Sequence, residues 1–262
     1  MMNSIGHLIG STITASDGEI GRMKQAFFDD QTWTVRYLVV DTGSWLSERE
    51  VLISPYSVRQ PLGAEKNIAV ALTRRQVENS PDIDTHQPVS RRREREYLNY
   101  YSYPEYWEGG GLWAMGAMPF VPPVSSVAMI AADTDAAAAE RIAKESDVPL
   151  EDVHLRSTAS VTGHDIRATD DSIGHVHDFV FDDESWAIRY LVVDTHNWWP
   201  GGKKVLLGTQ WIERISWSDK MVYTKLNRAQ VKNSPEYVAA DPITRDYEKR
   251  LHDAFDRRGY WD

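Results

Sequence analysis

The sequence predicts a mainly β fold with helical connectors, built as two tandem small β-barrels related by a pseudo-two-fold axis. Three observations predict it. The heptapeptide RYLVVDT occurs twice, at residues 36–42 and 189–195. Around each copy, short β-rich apolar runs alternate with turn-forming residues, as in a small barrel rather than a βαβ sheet. The correspondence between the copies then extends along most of the 262-residue chain, which marks a tandem duplication. At an offset of 153, Asp17, Ile20, Gly21, Phe28, Asp29, Asp30, Trp33 and Trp45 recur as Asp170, Ile173, Gly174, Phe181, Asp182, Asp183, Trp186 and Trp198. One inserted residue moves the offset to 154, where Leu72, Arg74, Gln76, Val77 and Asn79 recur as Leu226, Arg228, Gln230, Val231 and Asn233. Tyr106 and Trp107 still align with Tyr260 and Trp261. The boundaries that follow are 1–87 for the first repeat, 88–153 for a helical, Gly/Pro/aromatic-rich connector, 154–240 for the second repeat and 241–262 for a C-terminal helical tail.

Within each repeat the elements follow from composition. Residues 20–29 and 173–182 read as strands ending at acidic turns, Asp29-Asp30 and Asp182-Asp183. Trp33 to Val40 and Trp186 to Val193 are β-rich, so each pair forms a hairpin. Tyr37-Leu38-Val39-Val40 is apolar on both faces, as a central buried strand requires. Val51-Leu52-Ile53 and Val205-Leu206-Leu207 give a third strand, and 68–72 and 222–226 a later one. Thr73 and Asn227 then N-cap short helices that end at Asn-Ser-Pro. Residues 88–101 and 242–255 read as helices with Pro near their starts. Thr134 to Ser146 is Ala-rich and helical by propensity.

Composition removes several functional classes. The chain has no Cys, which excludes disulfides, zinc-thiolate sites, Fe–S clusters and Cys nucleophiles. A net charge of −10 argues against a nucleic-acid partner. The first residues have neither a cationic region nor a long apolar one, so no signal peptide is expected. Gly109 to Ala132 runs 24 residues without a charge. Its Gly and Pro residues speak against a transmembrane helix, and it is expected as an ordered apolar loop packed on protein. No integral membrane segment is expected, and a peripheral contact stays open. A cytoplasmic location is expected.

The D-x-x-I-G strand, the F-x-x-D-D turn, the W-x-[VI]-R-Y-L-V-V-D-T strand and the V-L-[IL] strand resemble the PRC-barrel family. That family includes the cytoplasmic domain of the photosynthetic reaction-centre H subunit and the C-terminal domain of the ribosome maturation factor RimM. The resemblance covers both repeats and implies PRC-type barrels used for protein contacts. In the reaction-centre subunit the module supports electron and proton transfer to a quinone. In the ribosome factor it touches a ribosomal protein. Fold alone does not carry either function across.

The search for chemistry returns mostly structural readings. His175 and His177, with Asp178 or Asp182, could ligate a metal, but surface histidines on a polar strand face are the simpler account, and no metal or cofactor is expected. Asp29-Asp30 and Asp182-Asp183 are explained by their turns. Asp41-Thr42 and Asp194-Thr195 suit side-chain to backbone bonding at a strand end. Arg36 and Arg189 stand inside apolar strands and need carboxylate partners, for which Asp17 and Asp170 are candidates. Gly109-Gly110-Gly111 lacks the Lys-Ser/Thr of a phosphate loop. Residues 91–96 read as a solvated, mixed-charge helix face. The remaining cluster is aromatic. Tyr97, Tyr100, Tyr101, Tyr103, Tyr106, Trp107 and Trp113 fall within 17 residues. Tyr and Trp are common interface anchors, so Tyr97, Tyr100, Tyr101, Tyr103, Trp107 and Trp113 are candidate partner-binding residues. Packing of the same residues against the barrels is the competing reading.

The expected function is therefore a non-enzymatic protein-binding or scaffold protein, meeting a protein partner or a second copy of itself, with a homo-oligomer expected. An accessory to photosynthetic or membrane electron transfer and a ribosome-assembly factor are the alternatives. An enzyme with a site in a groove is a fourth reading, which a polar pocket with perturbed carboxylates or histidines would support.

Overall fold

The computed structural model describes residues 1–47, 49–62, 66–82, 85, 89–121, 154–198 and 200–262. The helix expected at 134–146 and most of the apolar run beyond residue 121 lie outside them. In chain order the elements are β1 (Met2–Ser4), α1 (Ile5–Leu8), β2 (Thr12–Ala15), β3 (Gly18–Asp29), β4 (Thr34–Asp41), β5 (Glu50–Ile53), β6 (Asn67–Ala69), α2 (Arg74–Glu78) and α3 (Arg91–Tyr101). There follow β7 (Leu155–Ser157), α4 (Thr158–Val161), β8 (Asp165–Arg167), β9 (Ser172–Asp182), β10 (Ile188–Asp194), β11 (Lys204–Gly208), β12 (Ile212–Ser216), β13 (Met221–Thr224), α5 (Arg228–Asn233) and α6 (Arg245–Ala254).

The fold is mainly β, in two sheets. One has the strand order β5-β4-β3-β2-β6, with β7 also on β3. The other has the order β11-β10-β9-β8-β13-β12, with β1 also on β9. Along the two strand orders neighbours are antiparallel apart from β2 with β6 and β8 with β13, which run parallel. Every residue of β4 from Thr34 to Val40 is buried, as its continuous apolar run demands.

No closed barrel is found among the described residues, so of the expected pair of small barrels the structure shows two β-sheets. The chain leaving β5 turns through Pro55–Ser57 and pairs briefly with the end of β6, where the Arg59 amide donates to the Ala69 carbonyl (2.9 Å) and the Ala71 amide to the Ser57 carbonyl (2.8 Å) around the Val58–Val70 bridge. In the second sheet, β11 turns through Thr209–Trp211 into β12, which pairs with β13. In each sheet the strand at one edge thus runs through a bend into a segment that pairs at the other edge.

Two local features recur in both sheets. Gly21 and Gly174 lie where a Cβ would come 2.0 Å from the Asp41 carbonyl oxygen and 2.2 Å from that of Asp194, so only glycine fits. Thr73 and Gln76 form a reciprocal capping box on α2, as Asn227 and Gln230 do on α5. Helices α3 and α6 start at Ser90 and Thr244, whose side chains supply the caps, rather than at a proline. Trp33 and Trp186 are not strand residues. They hold left-handed backbone at φ 52° and 59°, finishing the acidic turns before β4 and β10 begin.

The chain divides into two compact units, and they do not follow the repeat boundaries. One contains Ile9–Arg156 with Glu184–Trp186. The other contains Met1–Leu8, Ser157–Asp183 and Ala187–Asp262. They are called the 9–156 unit and the 157–262 unit below.

Candidate functional site

In the 9–156 unit, α3 carries its charged residues onto the sheet. Glu94 is only 2% exposed, so the solvated face expected for 91–96 is corrected at this position. Its carboxylate accepts from the hydroxyls of Tyr37 (3.3 Å) and Tyr106, and from Arg91 Nη1 at 3.2 Å. Burial pushes the Glu94 carboxyl up to about 7, against the pull of Arg91 and the two hydroxyls. Burial likewise lowers the Arg36 guanidinium from its usual range.

Arg36 is buried, with its two Nη atoms hydrogen-bonded and its Nε without a hydrogen-bond partner. Its guanidinium lies 3.8 Å from the Tyr106 ring centroid and 4.7 Å from that of Trp113. It donates to the Leu112 carbonyl and to Thr32 Oγ1 (3.1 Å), and stands 3.8 Å from Asp29 Oδ2. Asp29, not Asp17, is the carboxylate beside it. Asp17 instead accepts from the Arg74 amide (2.7 Å) at the start of α2, and Asp170 accepts from that of Arg228 (2.9 Å). Short carboxylates near a helix start find backbone donors there before they find a distant guanidinium. Asp29 also closes its own turn, accepting from the amides of Gln31 (2.9 Å) and Thr32 (3.0 Å).

The candidate aromatic residues divide by exposure. Tyr97 is buried; its hydroxyl donates to the Leu52 carbonyl (2.9 Å) and accepts from the Ser54 amide (3.2 Å). Trp113 is buried; its Nε1 donates to the Ser185 carbonyl (2.8 Å) and its ring stands edge-on to Tyr56. Tyr101 and Tyr103 stack on each other half-buried, with ring centroids 5.4 Å apart. Trp107 is half-buried, edge-on to Tyr106 and under the Arg91 guanidinium at 4.5 Å. Tyr100 alone of the six is exposed, at 40%, with its hydroxyl on the Gln76 carbonyl.

Beyond them the short hairpin closed by Trp113 and Gly116 presents apolar residues to solvent. Met115 is 67% exposed, Met118 56% and Phe120 55%. They fall inside the charge-free run flagged in the sequence, whose expected packing on protein holds for Trp113 and not for these three.

The 157–262 unit holds a related network. Glu248, buried on α6, accepts from the hydroxyls of Tyr190 (2.9 Å) and Tyr260 (2.8 Å) and from Arg245 Nη1 at 3.0 Å. Arg189 lies 4.3 Å from the Tyr260 ring. His252, its protonation disfavoured by burial, is 3.1 Å from the Tyr190 hydroxyl. The signal for both glutamates was in the sequence, since Arg91 and Glu94 recur at offset 154 as Arg245 and Glu248.

The other candidates are structurally engaged. Asp178 accepts from Ser4 Oγ and from the Gly6 amide (2.8 Å), and Asp183 from Asn3 Nδ2 (2.9 Å). His177 Nε2 is 2.7 Å from Lys204 Nζ. Among the described residues no group of three or more His, Asp or Glu is placed to hold a metal. Asp41 and Asp194 each accept from the amide two residues on, at 2.9 Å, as a strand end favours. No helix among the described residues is long and apolar enough to cross a membrane.

The PRC-barrel domain family matches residues 157–231, from the end of β7 through most of α5. A PRC-barrel domain is present. The PRC match takes in β8 to β13 and stops before α6, so Tyr190 and Arg189 lie inside it while Arg245, Glu248 and Tyr260 lie beyond it. No curated protein matches the chain.

Proposed function

We propose that this chain is a non-enzymatic protein-binding scaffold made of two PRC modules, the second at 157–231 and the first its tandem repeat. The offsets of 153 and 154, the paired capping boxes and the shared order of hairpin and neighbouring strands support the repeat. In this reading the helical arms are permanent parts of the modules. Their Glu–Tyr–Arg networks, centred on buried Glu94 and Glu248, hold them to the sheets.

One observation carries the reading. The hairpin closed by Trp113 and Gly116 is anchored by buried Trp113 and by Arg36 bonded to the Leu112 carbonyl, yet holds Met115 out to solvent, with Met118 and Phe120 just beyond. A pinned base with an apolar, Met-rich tip is suited to docking a protein. The partner-binding role thus passes from Tyr97 and Trp113, which serve as anchors, to Met115, Met118 and Phe120, with Tyr100 on α3 as a further exposed aromatic.

The test is affinity capture from host lysate, with soluble and membrane fractions kept apart, using the wild type and a Met115→Ser/Met118→Ser/Phe120→Ser variant of equal thermal stability. The scaffold reading expects a specific protein bound by the wild type and lost by the variant. Identical captures by the two would refute it. A membrane electron-transfer partner or a ribosomal subunit in the wild-type capture would say which of the two alternatives the scaffold serves.

A further inference from the structure

The edge of β9 in the 157–262 unit is occupied by residues from the far end of the chain. Met2, Asn3 and Ser4 pair antiparallel with Asp182, Phe181 and Val180. The Asp183 amide donates to the Met1 carbonyl, and Asn3 Nδ2 to the Asp183 carboxylate. Past the strand, the chain wraps the Asp178 carboxylate, which takes Ser4 Oγ on one oxygen and the Gly6 amide on the other. A Cβ at Gly6 would come 2.6 Å from Asp178 Oδ2, so a side chain there has to displace the carboxylate that the segment wraps. Ile5 and Leu8 are buried.

These contacts define a strand-addition site with a readable specificity: an extended trio, a hydroxyl at its third residue, glycine two further on, and apolar residues at the Ile5 and Leu8 positions. Residues 1–8 belong to the 157–262 unit, whereas Ile9 onward belongs to the 9–156 unit. The junction between them is Ile9, exposed, and Gly10, at φ 80°, where a Cβ would meet nothing within 4 Å. The corresponding segment of the second half leaves in the same way. Leu155 and Arg156 go to the 9–156 unit, where Arg156 Nε donates to Asp30 Oδ2 at 2.8 Å.

We infer that the β9 edge, with Asp178 and Asp183, takes residues 2–8 of a second copy of this chain in place of its own, giving a strand-exchanged dimer. The ladder and the hydrogen bonds to Asp178 and Asp183 that seat the segment on β9 run from residues 1–6 to the acceptor. A segment from another molecule therefore makes the same bonds, which is why swapped elements yield dimers at low cost. The chain's own segment competes through its tethering, so exchange grows with protein concentration.

The absence of Cys allows a direct test. Full-length Met2→Cys and full-length Asp182→Cys are mixed at high concentration, warmed, cooled and oxidised. Residues 2 and 182 are directly opposed in the ladder, so the disulfide reports seating in register. The expected result is a covalent heterodimer with the 2–182 linkage identified by mass spectrometry, its yield rising with concentration. Adding Gly6→Val to the Met2→Cys chain abolishes it, while the acceptor copy remains unaltered. No 2–182 heterodimer, while a single chain carrying both Met2→Cys and Asp182→Cys cross-links within itself, would overturn the inference. So would a heterodimer indifferent to Gly6→Val, which would place the contact on another surface.

Discussion

Arg36 illustrates what a buried cation needs at the scale of one residue. It lies between the rings of Tyr106 and Trp113, with the Leu112 carbonyl and Thr32 hydroxyl taking its protons and Asp29 beside it. A lysine keeps the charge but loses the flat, forked geometry. Arg36→Lys is expected to lower stability by about 2 kcal/mol in urea denaturation, the scale of a hydrogen bond to a charged group. Glu94 sets the pH behaviour of the same network. Its carboxyl moves from 4.5 to about 7 on folding, so the folded chain holds a proton that the unfolded chain releases between those values. Stability from this group is complete below pH 4.5 and is lost as pH rises through 7, by about 3 kcal/mol. Denaturation at pH 5 and at pH 7.5 reads this slope, and Glu94→Gln is expected to remove it. The sequence showed that Arg36 needed a partner. It did not show which one, because Asp17 and Asp29 are equally polar in sequence and only the fold gives Asp17 a backbone amide to cap.

Elements were more legible than their partners. The hairpin β3–β4, its counterpart β9–β10 and both capping boxes follow from β-branched runs, acidic turns and a Thr or Asn three residues before Gln. Thr73→Ala is expected to cost about 1 kcal/mol in thermal or urea unfolding, as loss of a cap does. Trp33 and Trp186 escaped the reading, because a bulky residue with left-handed backbone is enforced by surrounding packing and not by propensity. The hairpin closed by Trp113 and Gly116 escaped in part for a related reason. Its composition marks it as apolar, but which side chains turn inward depends on Trp113 reaching the Ser185 carbonyl from 72 residues away. Trp113→Ala is expected to cost about 3–5 kcal/mol and to expose the hairpin to limited proteolysis. Equal protease resistance in the variant would mean that the hairpin is held by other contacts.

At the scale of the whole molecule, the repeats and the compact units are different divisions of the chain. Duplication is legible because identical residues recur at fixed offsets. The assignment of residues 1–8 to the 157–262 unit, and of 154–156 and 184–186 to the 9–156 unit, is not, since strand addition is written mainly in backbone hydrogen bonds. Each unit is thus completed by residues from the other half of the sequence. Cutting a full-length, folded chain at a protease site placed between residues 122 and 153, followed by native mass spectrometry, tests this most directly. The account predicts a nicked 1:1 complex of the two halves that separates only under denaturing conditions. Halves that part in native buffer and remain folded separately would contradict it.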